Sequence, residues 1–108
     1  MVHLNHIIEC VHSIQTYIRD EGASFQNDRK TQKAVLRELQ ELSQSVRSLP
    51  SRLTDSNPQI PWRAIAGFRN ILVHDYLGLN MASVWSIVQK DLPPLLLAVS
   101  EMVRIEKG

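Results

Sequence analysis

The stretch VLRELQELSQSVRSL, residues 35–49, decides the fold class of this chain. Its apolar side chains are spaced by four, three, four and three residues, and they are Val35, Leu39, Leu42, Val46 and Leu49. This spacing places them along one side of an α-helix, in a pattern that suits antiparallel packing of helix on helix. Because Pro50 follows at once, the helix is predicted to end there.

Periodic apolar residues predict one helix before this stretch and another after it. The first helix starts at Leu4 and is expected to end at Gly22. The third starts at residue 61 or 62, where Pro61 is tolerated in the first turn, and is expected to end at Gly78. The turn-rich segment 51–61 is predicted to be an irregular connection with room for one short helical turn.

Two polar residues are predicted to cap the remaining helices. Asn80 is the expected N-cap of a short fourth helix that ends near Lys90. Asp91 is the expected cap of a fifth helix, in whose first turn Pro93 and Pro94 are tolerated. No segment alternates strictly between apolar and polar residues, so strands are not expected. The predicted fold is all-α, an up-and-down bundle of four main helices plus one short helix.

Composition excludes several classes of protein. The chain has 108 residues, 44% of them hydrophobic, which suffices for a single packed domain over residues 1–108. Its formal charge of +1 argues against nucleic-acid binding through overall charge, so any RNA contact must be local. The only cysteine, Cys10, has no partner within the chain and is expected to be a free thiol in a cytoplasmic protein. No apolar run approaches the ~20 residues of a membrane-spanning helix.

Residues 62–78, WRAIAGFRNILVHDYLG, place strongly polar groups inside an apolar helix, which calls for an explanation. Asn70 and His74 are four residues apart and share a helical face, so the amide is placed to orient the imidazole. Arg69 lies five residues before His74, about 140° around the helix. Both groups can therefore reach one substrate only through the length of the arginine side chain or with the help of a second subunit.

Arg69, Asn70, His74 and Tyr76 form the pattern R-N-x-x-x-H-x-Y. In this pattern the chain resembles HepT-like proteins, which are toxins of a prokaryotic toxin-antitoxin system within the HEPN superfamily. The resemblance extends to residues 34–37, 61–63, 84–85 and 91–93, and so covers nearly the whole chain. The chain departs from the family in two places: at residues 42–45, where the family often has an Ile-Gly-Glu-Ala-like run, and at Asn5, where it has an aspartate.

The resemblance implies a HEPN-like bundle and a metal-independent endoribonuclease, the toxin of a type VII-like system, acting as a homodimer whose two motifs face one cleft. His74 is the expected general acid and base, because an imidazole ordinarily titrates near a pKa of ~6.5. Arg69 is expected to bind the scissile phosphate through its planar guanidinium. Asn70 and Asp75 are expected to support this pair. No cofactor or metal is expected, since RNA carries its own nucleophile, the 2′-hydroxyl.

The resemblance also implies a partner. A cognate MntA-like nucleotidyltransferase antitoxin is expected to adenylylate Tyr76, the acceptor hydroxyl of the motif. The added phosphodiester would carry negative charge to the catalytic pair and compete there with RNA. Arg37 and Arg63 are candidate RNA contacts.

Other interpretations of the same residues stay open. The chain could be a non-catalytic helical module that docks a nucleotidyltransferase, or a decayed relative of the enzymes. Without the family, His74 is more typical of a hydrogen-bonded structural residue. Arg69 could pair with Asp75 on the helix surface, and Tyr76 could pack its ring at the helix end.

Histidines and basic residues outside the motif do not indicate a second functional site. His6 and His12 lie on the predicted first helix and His3 lies just before it, but no convincing set of further ligands lies nearby, so solvated histidines are favoured over a metal site. The basic residues between 29 and 37 are typical of a solvated helix face.

Overall fold

The computed structural model describes residues 1–19, 25, 28–74 and 81–107, and for residues 69–74 it describes the backbone alone. Within these ranges the chain forms six helices and no strand. The helices are α1 (Val2–Ile18), α2 (Arg29–Arg47), α3 (Ser51–Asp55), α4 (Trp62–His74), α5 (Met81–Lys90) and α6 (Leu92–Lys107). The all-α prediction is confirmed, and α3 is the helical turn for which segment 51–61 has room.

Local chemistry explains where α2 and α6 begin. The Asp28 side chain accepts a hydrogen bond of 3.2 Å from the backbone N–H of Thr31, which caps the start of α2. Helix α6 begins directly after Asp91, and Pro93 and Pro94 occupy its first turn as predicted.

The predicted ends of α1 and α4 both fall beyond the described parts of these helices. Helix α1 is described as far as Ile18, and the exposed Arg19, which has helical backbone angles, follows it. Gly22, Gly78 and Asn80, for which helix ends and a cap are predicted, lie outside the described residues.

Helix α2 is the central element of the bundle. It contacts both α1 and α4, while α1 also contacts α6, and α5 packs beside α6. The predicted stripes meet in the core, where the buried members are Leu4, Ile7, Val11 and Ile14 of α1 and Val35, Leu39, Leu42 and Val46 of α2. Leu49 is half-buried against them. Burial of each such side chain stabilises the fold by about 1.5–3 kcal/mol, which accounts for the close pairing of the two helices.

Of the buried residues that the structure describes, two come from the connections rather than from the helices. Phe25 is fully buried, and its ring centroid lies 4.9 Å from that of Trp85 on α5. Ile60, just before α4, is also buried. By packing in the core, these side chains hold the connections against the helices. Among the described residues, no helix combines the length and the apolar composition needed to cross a bilayer.

Candidate active site on helix α4

The start of α4 is held firmly against the core. The Trp62 indole Nε1–H donates to the carbonyl oxygen of Asn57 at 2.9 Å, and the Ile65 N–H donates to that of Pro61 at 3.0 Å. The Ile65 side chain is buried, and Phe68 packs against the core with part of its surface exposed. These contacts fix which side of α4 faces inward.

The opposite side of α4 is open in the described chain. Arg63 is exposed, and a Cβ built on Gly67 would meet no heavy atom of the described chain within 4 Å. Positions 63, 67, 70 and 74 are spaced by four, three and four residues, so they follow one line along the helix, which we call the outward side of α4. Position 74 lies nine residues after Ile65, about 180° around the axis. The backbone positions of Asn70 and His74 therefore share the outward side.

Arg69 occupies a different register. It lies four residues after Ile65, about 40° around the axis, and so near the inward side of the helix. Because α4 continues without a break to His74, positions 69 and 74 are separated by about 140° around the axis and about 7.5 Å along it. The two backbone positions thus face different directions from one helix.

The other predicted site residues are dispersed. Arg63 lies exposed on the outward side of α4. Arg37 lies on α2, where its guanidinium Nη2 is 3.0 Å from Oε1 of Glu41. Asp75 and Tyr76, predicted as the supporting and modified residues, lie outside the described residues. The structure therefore brings Asn70 and His74 into one register and leaves Arg37 engaged on the neighbouring helix.

A polar cluster between α1 and α2 was missed by the sequence reasoning. His6 Nδ1 and the buried Ser45 Oγ are joined by a hydrogen bond of 2.6 Å. His6 Nε2 lies 3.6 Å from Cys10 Sγ and 3.9 Å from Oε2 of Glu41. His6 therefore makes specific contacts across the helix interface although its side chain is 37% exposed, and His3 and His12 are exposed. The sequence signal was Ser45 on the buried face of α2, which needs a partner from another helix.

The cluster is structural rather than reactive. Cys10 is a buried free thiol, and burial, reinforced by Glu38, raises the pKa of the Cys10 thiol to about 12. A thiol in this state stays protonated and is a poor nucleophile at neutral pH. No group of three or more histidine, cysteine, aspartate or glutamate residues suited to a metal ion occurs within the described part of the chain.

Comparison with known proteins identifies the family to which this chain belongs. The family model described as "Ribonuclease HepT-like" matches residues 7–102. A protein of Caldanaerobacter subterraneus subsp. tengcongensis, whose name gives it provisionally as an RNase, is 33% identical over 97% of this chain and 95% of its own. The protein of Thermococcus cleftensis named "Probable ribonuclease HepT" is 33% identical over 86% of each chain. No solved structure matches. The chain therefore belongs to the HepT-like ribonuclease family.

Proposed function

We propose that this ribonuclease is the toxin of a type VII-like toxin-antitoxin system and cleaves RNA without a metal, with Arg69 and His74 as its catalytic pair. The observation that carries the proposal is that Arg69, Asn70 and His74 of the R-N-x-x-x-H-x-Y motif lie on a continuous α4, whose outward side is open at Gly67 in the described chain. Family membership supports the reaction class, RNA cleavage.

The chemistry of this pair suits RNA cleavage by internal transfer. The 2′-hydroxyl loses its proton and its oxygen forms a bond to phosphorus, while the bond from phosphorus to the 5′-oxygen breaks and that oxygen gains a proton. The products are a 2′,3′-cyclic phosphate and a 5′-hydroxyl. His74 exchanges these protons, and Arg69 stabilises the charge on the phosphoryl oxygens. Asn70, one turn before His74, is placed in register to orient the imidazole.

A homodimer would supply the geometry that one helix lacks. Positions 69 and 74 diverge by about 140° on α4, so a single copy presents them in different directions. A two-fold axis that places the two copies of α4 side by side would bring residue 69 of one copy toward residue 74 of the other. We therefore infer that each cleavage site takes its guanidinium and its imidazole from different copies.

Cleavage of RNA in EDTA tests the catalytic assignment. The wild-type chain should degrade single-stranded RNA, and His74→Ala should lower the rate by about 100-fold to 10,000-fold, as expected for loss of a general acid-base group. His12→Ala, which removes an exposed histidine from α1, is the matched control and should cleave like wild type. Equal RNA survival with wild-type and His74→Ala protein of normal helical content would refute the assignment and favour a non-catalytic docking module.

Adenylylation tests the proposed regulation separately. Incubation with a cognate nucleotidyltransferase and ATP should add one or more AMP units to the wild-type chain and suppress RNA cleavage. Tyr76→Phe should block the addition, whereas Tyr17→Phe, which alters a tyrosine exposed on α1, should not. An unchanged mass of the wild-type protein would remove adenylylation from the proposal and leave the nuclease assignment intact.

A further inference from the structure

The exposed face of α2 carries a continuous basic and amide-rich line. Residues exposed or partly exposed along this face recur every three or four positions, and they are Lys30, Lys33, Arg37, Gln40, Gln44 and Arg47. Successive positions of this spacing fall within about 100° of arc on a helix. We call this line the outer stripe of α2, and it extends for about 25 Å.

The charges of the outer stripe are largely uncompensated. Arg37 pairs with Glu41, but no carboxylate of the described chain lies within ion-pair distance of Lys30, Lys33 or Arg47. On α6 and α3, by contrast, Arg104 pairs with Glu101 and Arg52 pairs with Glu106. Because the whole chain carries only +1, the stripe is a local concentration of positive charge rather than a reflection of the average.

Helix stability accounts for Arg47, a cation in the last turn of α2, but not for the cations at the start of the helix. The first turn of α2 contains no acidic residue and includes Arg29 and Lys30, and Lys33 follows in the next turn. Cations near a helix N-terminus oppose the helix dipole, so this arrangement is unfavourable for the isolated helix. Cations that oppose the helix dipole and bring no structural benefit point to a ligand.

The middle of the outer stripe suits a ligand with polar groups between its charges. Arg37, Gln40, Glu41 and Gln44 line a shallow groove of ≈ 210 Å³. Glutamine amides donate and accept hydrogen bonds, as needed for sugar hydroxyls and base edges, while cations on both sides bind phosphates. Single-stranded RNA presents both kinds of group at regular intervals.

The position of α2 relates the stripe to the candidate active site. Helix α1 packs on the flank of α2 that carries Glu38 and Ser45, through Tyr17 and His6 respectively. Helix α4 contacts α2 as well. The outer stripe therefore lies on the exposed surface of the helix that directly supports α4.

We propose that the outer stripe of α2 is an RNA-binding track, which holds the phosphates of a strand that extends beyond the cleavage site. This inference rests on the proposed function for the identity of the strand. Lys30 and Lys33 bind phosphates at one end, Arg47 binds at the other, and Gln40 and Gln44 contact the sugars and bases between them.

The salt dependence of RNA binding tests the track. Binding of a labelled single-stranded RNA is measured by fluorescence anisotropy on His74→Ala protein, so that cleavage does not interfere. For single strands, the slope of log association constant against log salt is about −0.7 per phosphate neutralised. Lys30→Gln with Lys33→Gln should make the slope shallower by about 1.4, and adding Arg47→Gln should change it by about 2 in total.

A matched pair of lysines provides the control. Lys90→Gln with Lys107→Gln makes the same change in charge on α5 and α6, at residues that are also exposed, and should leave the slope within error of the parent. Circular dichroism should show that both double variants remain folded. Equal slopes for the two double variants would overturn the track, as would a stripe variant that binds RNA like the parent. Failure of the nuclease proposal would appear differently, as RNA cleavage that survives His74→Ala.

Discussion

Mixing two inactive variants offers a direct test of a site shared between two copies. Arg69→Ala and His74→Ala should each abolish cleavage when purified alone. If residue 69 of one copy acts with residue 74 of the other, a hybrid dimer has one site with both side chains and one site with neither. The separation of about 140° and about 7.5 Å between the two positions on α4 is the structural reason to expect this arrangement.

The expected recovery follows from counting sites. Random association of equal amounts gives hybrids in about half of the dimers, and each hybrid has one complete site of two, so about one quarter of wild-type activity should return. The variants are unfolded together in urea, refolded and assayed for RNA cleavage in EDTA, with each variant refolded alone as control. No recovery, in a sample where native mass spectrometry detects hybrid dimers, would refute the shared site.

Two further predictions concern the polar cluster between α1 and α2. Ser45→Ala should be less stable than Ser43→Ala by about 1 kcal/mol in urea unfolding, because Ser45 loses a hydrogen bond to His6, whereas Ser43 bonds only to the Leu39 carbonyl of its own helix. The gain in helix propensity is the same for both and cancels, so equal stabilities would contradict the role given to His6. The pKa of Cys10 is raised from 9.0 to about 12, so the unfolded chain releases the thiol proton first as pH rises. The stability of wild type relative to Cys10→Ala should therefore be constant below pH 9 and fall between pH 9 and about 12, and a constant difference across that range would contradict the burial of the thiol.

Sequence periodicity predicted the parts of the fold that depend on repeated apolar contacts. The stripes of α1 and α2 are buried as expected, since several residues at a regular spacing reinforce one another. Phe25 and Ile60 were not expected in the core, because each is a single apolar residue in a polar connection and has no periodic neighbours. Isolated residues of this kind are placed by tertiary contacts that a local pattern does not contain.

In the candidate site, too, local features could be predicted from the sequence and long-range contacts could not. The spacing of Asn70 and His74 predicted a shared helical face, and the continuous α4 agrees with it, because helical register is a local property. The partner of His6 could not be predicted in this way, since Ser45 lies 39 residues away along the chain. The pairing of Arg37 with Glu41, four residues apart on α2, is a local contact that the spacing alone could have predicted. The catalytic roles of Arg69 and His74 remain predictions.

The central place of α2, packed between α1 and α4, has a consequence for local opening of the chain. Amide protons of Leu39 and Leu42 can reach solvent only when α2 separates from both neighbouring helices, so they should be among the slowest to exchange with deuterium. Helices at the margin of the bundle, such as α5, can open while the rest of the core stays packed. The cationic side chains of α2 thus lie on the helix that we expect to open least often. They would hold a bound RNA strand in a constant position even while helices at the margin of the bundle open.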